Sequence, residues 1–354
     1  MNLSTKIDYS ASKEIGPLPA EHPPVKIHKV GVLLINLGTP DGTDYKSMRR
    51  YLKEFLTDKR VIEWPKALWY PILFGIILNT RPGKVGKAYE EIWNKDLDES
   101  YLRTYTRSQA EKLSQALKTN ENVVVDWAMR YGQPSIDERI TALRDAGCDR
   151  IVAFPLYPHY SAATTATVND KVFESLMKTR FMPALRTVPS YHDEPIFIEA
   201  IAQSIETHLS GLDWEPERLI VSYHGIPQSY FKRGDPYHCH CMKTSRLLEN
   251  RLGWEKGRLM TTFQSRFGPE EWLQPYFDKT VEELPKQGIT KIATINPGFV
   301  SDCLETLEEI AGEGAEIFEE AGGHHYTHIP CLNDSEAGMA VIEAMVRREL
   351  QGWL

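Results

Sequence analysis

Short apolar runs alternate with longer segments of helical periodicity along most of the chain. The runs have the length and near-continuous hydrophobicity of buried parallel strands. They cover residues 29–37, 123–129, 150–155, 185–189, 219–223, 258–263 and 291–295. Apolar positions recur at helical spacing over residues 44–55, 101–117, 136–146, 196–209 and 335–350. This alternation predicts an α/β fold in which parallel sheets carry crossover helices on both faces.

The elements fall into two halves, and a chain of 354 residues is long enough for two hydrophobic cores. We place the change near Pro189-Ser190-Tyr191. The predicted organisation is a flexible tail over 1–27, an N-terminal α/β domain over 28–189 and a C-terminal α/β domain over 190–333. A final helix within 334–354 is expected to pack back on the N-terminal domain.

Composition narrows the class of protein. The formal net charge is −8, from 41 basic and 49 acidic residues, which argues against nucleic acid as a partner. Five cysteines, an odd number without framework spacing, favour reduced thiols and a cytoplasmic location. Residues 1–24 contain no apolar core of a signal peptide. The first strand is not followed by Gly-x-Gly-x-x-Gly, and the chain has no phosphate-loop lysine, so nucleotide binding lacks its usual device.

One apolar stretch, residues 61–78, is too short and too often interrupted to span a bilayer, which takes about 20 apolar residues. Trp64, Trp69 and Tyr70 lie in it beside Lys66. Two interpretations stay open. The stretch is either packed into the core, or an exposed lip that holds a flat apolar ligand or rests on a membrane surface.

An acidic segment follows the last apolar strand of the C-terminal half. At 3.6 residues per turn, Asp302, Glu305 and Glu309 share one helical face. Acidic residues also favour a helix N-terminus and a solvated surface, so a purely structural role is equally compatible with the spacing. Carboxylates that enter a cleft would hold a divalent ion loosely and relay protons.

A histidine turn could face that acidic segment. His224 ends an apolar strand and is followed by Gly225 and Pro227. A turn histidine that is hydrogen-bonded locally explains this pattern, but so does a base that works near pH 7. Both segments leave the carboxyl ends of strands, the edge where open α/β sheets bind ligands.

Two histidine-rich or cysteine-rich stretches are weaker candidates. Residues 235–241 offer potential metal ligands in positions too close together to surround one zinc ion. His324, His325 and His328 are interpreted as a polar loop and strand edge.

Taken together, these motifs resemble the ferrochelatase family, whose members insert ferrous iron into a porphyrin at the end of haem synthesis. The similar segments run in family order along the chain. They are 34–40 (LINLGTP), 130–131 (RY), 155–161 (PLYPHYS), 222–227 (SYHGIP), 233–237 (RGDPY), 264–273 (QSRFGPEEWL) and 301–307 (SDCLETL). The resemblance implies two Rossmann-like, chelatase-like halves, each a parallel sheet flanked by helices, with a porphyrin cleft between them.

The resemblance also implies roles for individual residues. His224 becomes the proton acceptor and Glu305 its counterpart across the macrocycle, and Glu309 and Asp302 continue the acidic path. All four residues are expected to be metal ligands. A second group is expected to bind the porphyrin. Its members are Leu37, Tyr131, Trp272 and Phe299 along the cleft, with Arg81 and Ser100 holding the propionates.

The implied substrates are ferrous iron and protoporphyrin IX. Coproporphyrin III, cobalt, or a carrier without turnover are the alternatives. The lip, residues 61–82, would let a cytoplasmic protein touch the inner membrane. Cys303 departs from the family, because many members carry histidine there. The C-terminal residues 345–354 contain no cysteine, and we therefore predict no [2Fe–2S] cluster and no resident cofactor.

Overall fold

The computed structural model describes residue 21 and residues 28–354. The predicted flexible tail, residues 1–27, thus falls, residue 21 aside, outside the described residues.

Two four-stranded parallel sheets and one small hairpin hold the strands of the described chain. The strands are β1 (Lys29–Gly38), β2 (Trp93–Asn94), β3 (Glu99–Ser100), β4 (Val123–Tyr131), β5 (Cys148–Pro155), β6 (Ala184–Thr187), β7 (Arg218–His224), β8 (Leu259–Gln264), β9 (Lys291–Ile295) and β10 (His325–Ile329). The first sheet has the order β4-β1-β5-β6 and the second β10-β9-β7-β8, while β2 and β3 pair antiparallel. Both four-stranded sheets are parallel throughout.

Helices connect the strands and cover both sheets. They are α1 (Tyr45–Thr57), α2 (Lys66–Ile72), α3 (Leu78–Glu91), α4 (Tyr101–Ala116), α5 (Ile136–Asp145), α6 (Thr167–Met177), α7 (Pro195–Ser210), α8 (Gln228–Lys232), α9 (Tyr237–Leu252), α10 (Phe277–Glu283), α11 (Leu304–Thr306), α12 (Gly314–Glu320) and α13 (Glu336–Leu350). Wider π-helical turns occupy Leu73–Ile77, Ala162–Ala166 and Leu307–Glu313, and a 3-10 turn occupies Pro285–Gln287.

Strand β1 explains why the sheets must be covered on both faces. Its side chains alternate between two cores: Val32 and Leu34 belong to one, Leu33 and Ile35 to the other. All four are fully buried. A strand that is apolar on both faces is stable only between two layers of helices, as in α/β folds.

One core joins the two sheets. The cluster that contains Val32 and Leu34 of β1 also contains Val221 and Tyr223 of β7, and side chains of the last helix α13. From α13, Arg347 donates a hydrogen bond to the carbonyl oxygen of Ala116 at the end of α4. The C-terminal helix therefore lies against helix α4, which covers the first sheet.

The predicted strands and helices are present, with ends that differ by a few residues. The two-residue strands β2 and β3 and the strand β10 are absent from the prediction. The sequence of β10, His-Tyr-Thr-His-Ile, is too polar for a buried strand. It can be polar because it is the edge strand of the second sheet. Its residues His325 and His328 therefore do lie at a strand edge, as interpreted.

The lip has one buried and one exposed face. Trp69 and Leu73 are buried against α1, whereas Leu68 and Ile76 are 62% and 59% exposed. The stretch is thus packed into the core along one face and exposed along the other. Within residues 28–354, no helix is both long enough and apolar enough to cross a bilayer.

Candidate functional site

A cavity of about 360 Å³ opens where the carboxyl ends of both sheets meet. Leu37 reaches it from β1, His224 from β7, and Phe299 from the turn after β9. A second cavity of about 300 Å³ adjoins it beneath the lip, and the two share Arg81 and Trp272 in their walls. We call the two adjoining cavities, which residues of both halves of the fold line, the slot.

The structure brings six of the predicted site residues to this cavity. They are Leu37, Arg81, His224, Trp272, Phe299 and Glu305. Arg81 is exposed, while Trp272 is buried and fixed by an indole hydrogen bond to the carbonyl oxygen of Phe267. The arrangement suits a ligand with a flat apolar body and an anionic edge near the exposed arginine.

His224 has a fixed tautomer. Its Nδ1 lies 2.6 Å from the carbonyl oxygen of Gly225. A carbonyl only accepts hydrogen bonds, so Nδ1 of the neutral ring carries the proton and the lone pair lies on Nε2. Nε2 is therefore the atom that can accept a proton from a ligand.

Gly225 is required by close packing beneath this histidine. A Cβ atom at residue 225 would lie 2.8 Å from the carbonyl oxygen of Gln264 and 3.1 Å from the ring of Trp272. The amide of Gly225 also donates to that carbonyl at 2.7 Å. The turn that presents His224 is thus held against β8, and only glycine fits there.

Glu305 reaches the cavity wall from α11, the short helix that follows β9. Its backbone carbonyl oxygen accepts a hydrogen bond of 2.7 Å from the Gln264 side chain. Gln264 ends β8, the neighbour of β7 in the sheet. The same strand pair thus supports both His224 and Glu305.

Glu309 lies behind that wall, outside the set of cavity-lining residues. Its carboxylate accepts hydrogen bonds from the amide and hydroxyl of Ser265 and from Gln264. Burial raises the pKa of the Glu309 carboxyl above its usual value and the charge of Glu305 adds to this, while Ser265, Gln264 and His224 oppose it. The charges of both Glu305 and His224 thus influence the pKa of Glu309.

Asp302 does not lie on the acidic face, which corrects its assignment to the metal ligands. Asp302 is 4% exposed, and its carboxylate accepts hydrogen bonds from Asn333, Thr306 and the amide of Cys331. The helical wheel does not apply to Asp302, because α11 begins only at Leu304. Among residues 28–354, no three His, Cys, Asp or Glu side chains form a group that could hold a metal ion.

Two residues that the sequence predicts to contact the porphyrin, Ser100 and Tyr131, do not line the cavity. Ser100 caps α4 by accepting a hydrogen bond from the amide of Arg103, and it is buried. Tyr131 donates to Asp58 at 2.9 Å and packs edge-on against Phe55, a cavity residue. Tyr131 thus supports the wall from behind, and Ser100 stabilises a helix.

His159 is a cavity residue that sequence reasoning missed. Its Nε2 lies 2.8 Å from the hydroxyl of Thr244, which itself donates to the carbonyl oxygen of His192. Burial lowers the pKa of His159 well below its usual value, with His192 and His240 adding to the effect. Burial and the same neighbour His240 lower the pKa of His192 to about 4. The ring-rich segment after β5 is the sequence signal that could have pointed to His159, but the hydrogen-bond partner of His159 is distant in sequence.

The potential metal ligands in residues 235–241 lie in different surroundings and do not converge on one point. Asp235 accepts hydrogen bonds from Ser161 and the amide of Ala162. In α9, Cys241 is buried whereas Cys239 is exposed. The helix thus separates side chains that a single metal ion would need together.

Comparisons with known proteins agree on one family. A family model described as ferrochelatase matches residues 29–350. A ferrochelatase of Allorhizobium ampelinum is 70% identical over 340 residues, which cover 96% of this chain and 99% of the relative. A ferrochelatase of Agrobacterium fabrum is 69% identical over 341 residues, with the same coverage of both chains.

Solved structures are similar in fold. SirB from Bacillus subtilis with Fe3+ has a TM-score of 0.53 and 12% identity, covering 92% of this chain and 97% of that one. The sirohydrochlorin chelatase SirB from Bacillus subtilis subspecies spizizenii in complex with cobalt has a TM-score of 0.52 and 9% identity, covering 91% and 97%. This likeness confirms the predicted α/β architecture of two parallel sheets flanked by helices.

Proposed function

Because this chain belongs to the ferrochelatase family and inserts ferrous iron into protoporphyrin to make haem, we propose that His224 and Glu305 carry out the insertion from opposite faces of the macrocycle. The observation that supports this most directly is that both side chains line one apolar cavity at the carboxyl ends of the sheets.

Insertion requires two pyrrole protons to leave the ring as one Fe²⁺ enters. A base beside the ring takes these protons, and Nε2 of His224 has the free lone pair for this role. An imidazole accepts one proton at a time, so His224 must return each proton to solvent before it takes the next. The fixed tautomer keeps Nε2 available in every cycle.

Iron must lose its water ligands before it reaches the ring nitrogens. Carboxylate oxygens replace water readily without trapping a divalent ion, as thiolates would. Glu305 lines the cavity, and Glu309 lies behind it with its own hydrogen bonds to Ser265. We assign Glu305 the direct contact with iron and Glu309 a supporting charge. Asp302 has no part in this path.

The remaining cavity residues supply the porphyrin site. Leu37, Trp272 and Phe299 offer apolar contacts to the ring, and exposed Arg81 offers a cation to a propionate. The absence of a [2Fe–2S] cluster or other resident cofactor, the absence of a nucleic-acid partner and the cytoplasmic location stay predictions.

The lip is the proposed contact with the membrane. Its outer face exposes Leu68 and Ile76 beside Lys66, the combination of apolar and basic groups that anchors proteins at a bilayer surface. It lies over the second cavity, so a membrane-bound porphyrin would enter the slot directly.

We expect the lip double variant Leu68→Ser/Ile76→Ser to lose at least about tenfold in binding to vesicles of anionic phospholipid, since each apolar side chain contributes about 1.5–3 kcal/mol when buried. Co-flotation with the vesicles measures this. The control is Leu97→Ser, which removes a side chain that is 52% exposed outside the lip. Equal flotation of the double variant and the wild type would exclude the lip.

The proposed function is tested by zinc insertion, whose porphyrin product is fluorescent. We expect repeated turnovers with protoporphyrin IX and slower insertion with coproporphyrin III. If the protein binds protoporphyrin but inserts neither zinc nor ferrous iron, it is a porphyrin carrier and not an enzyme. Faster insertion into coproporphyrin III would transfer the assignment to that substrate.

A further inference from the structure

A buried pair of side chains, Asp302 and Asn333, lies behind the turn that carries Glu305. We propose that Asn333 is a positioning residue for Glu305, acting through Asp302 and Thr306. This inference rests on the proposed role of Glu305 in iron insertion. None of these three residues lines the cavity, so the role assigned to them is an indirect one.

The side chain of Asn333 donates one hydrogen bond to Asp302 and accepts another from it. The amide nitrogen of the Asn333 side chain donates to Asp302 Oδ2 at 2.6 Å. Its carbonyl oxygen accepts from the backbone amide of Asp302 at 2.8 Å. The exposures are 4% for Asp302 and 9% for Asn333. Two bonds from one planar amide fix both the position and the direction of the chain at residue 302.

From Asp302 the constraint passes to the residue beside Glu305. The hydroxyl of Thr306 donates to Asp302 Oδ1 at 3.0 Å and accepts from the amide of Cys303 at 3.1 Å. Thr306 is fully buried. Both ends of the segment 302–306 are thus bonded to each other, and Glu305 leaves it in a single direction.

Asn333 is itself braced by both halves of the molecule. Its backbone amide donates to the backbone carbonyl oxygen of Val300 at 2.9 Å. Its backbone carbonyl oxygen accepts a hydrogen bond of 2.7 Å from the side-chain amide of Gln109, which also donates to the Ser301 hydroxyl at 3.0 Å. Gln109 is a buried residue of α4, which packs on the first sheet. The position of Glu305 is therefore tied to both sheets that form the slot.

The chemistry of residue 333 is specific to asparagine. Its φ is +50°, a left-handed conformation that asparagine tolerates better than most residues. Its amide must also donate one hydrogen bond and accept another. Glycine would satisfy the backbone alone, and aspartate could accept but not donate.

A reciprocal exchange of the two side chains tests this role. In Asn333→Asp, two carboxylates face each other; in Asp302→Asn, either orientation of the new amide puts a donor against a donor. We expect each single variant to lower kcat for zinc insertion by about 10- to 100-fold, as for other groups that orient a metal-contacting residue, while protoporphyrin affinity stays unchanged.

The double variant Asp302→Asn/Asn333→Asp restores the side-chain bond between residues 302 and 333 with donor and acceptor exchanged. Oxygen atoms still accept from the backbone amide of residue 302, from Thr306 and from Cys331. We expect it to recover most of the wild-type kcat, a non-additive result that indicates direct coupling. The exposed Asn120→Asp is the control for the same chemical change and should behave as wild type.

The alternatives give different results. A metal ligand at residue 302 would leave the double variant as inactive as Asp302→Asn, and this overturns the inference. So does a double variant that does not fold, or single variants with unchanged kcat. If a single variant fails to fold, recovery in the double variant still supports the role. Failure of the proposed function is recognised separately, because the wild-type protein would then not insert zinc or iron.

Discussion

The variant His224→Ala loses metal insertion by about 10²- to 10⁴-fold in kcat, the range that a positioned general base contributes. Without imidazole Nε2 at the cavity, the pyrrole protons have no acceptor beside the ring. Apolar contacts from Leu37, Trp272 and Phe299 are unaffected, so protoporphyrin still binds. Zinc insertion gives kcat, and quenching of porphyrin fluorescence gives the affinity.

The matched control is His325→Ala, because His325 lies exposed on β10 and stacks on Trp214 outside the cavity. It should insert zinc at the wild-type rate. Equal rates for His224→Ala and the wild type would remove His224 from the mechanism. Loss of porphyrin binding together with kcat would make it a binding residue instead.

The second large effect is expected for Glu305→Gln, with a loss of kcat of similar size, about 10²- to 10⁴-fold. Glutamine keeps the shape of the side chain and the bond from Gln264 to the backbone carbonyl of residue 305. It removes the negative charge of the carboxylate, whose oxygens would replace water ligands of the metal. The loss should therefore appear in kcat and in the KM for the metal, with porphyrin affinity retained.

Glu316→Gln serves as the control here, since Glu316 is exposed on α12. A Glu305→Gln variant that inserts zinc normally would show that the carboxylate is dispensable. Glu309, which lies behind the same cavity wall and is held by Ser265, would then be the next carboxylate to replace.

The sequence predicts well what local pattern determines. Strand β1 is recognisable because its side chains are apolar on both faces. His224 and Glu305 are recognisable because His224 ends one strand of the second sheet and Glu305 follows another, and the carboxyl ends of parallel strands meet at one edge. The cavity formed there is thus predictable in its location and in its central residues.

Contacts between distant segments are what the sequence does not reveal. Asp302 shares a helical wheel with Glu305, yet its chain is extended at the N-cap Cys303 and its partner is Asn333. The π-helical turn Leu307–Glu313 changes the period after Glu305, so the direction of Glu309 is also not set by 3.6 residues per turn.

Polar residues buried by remote partners are equally hidden. Tyr131 is held by Asp58, and His159 by Thr244. Neither pairing has a sequence signal, because it depends on how segments that are distant in sequence pack together. The same local pattern is compatible with exposure to the cavity or with burial behind it.

The crystal structure of Glu305→Gln with bound protoporphyrin tests the central claim most directly, because this variant retains the ring without consuming it. We predict that the macrocycle lies in the slot with Nε2 of His224 facing one side of its plane and the side chain of residue 305 facing the other. A ring bound elsewhere, or one with both side chains on the same face, would contradict the account.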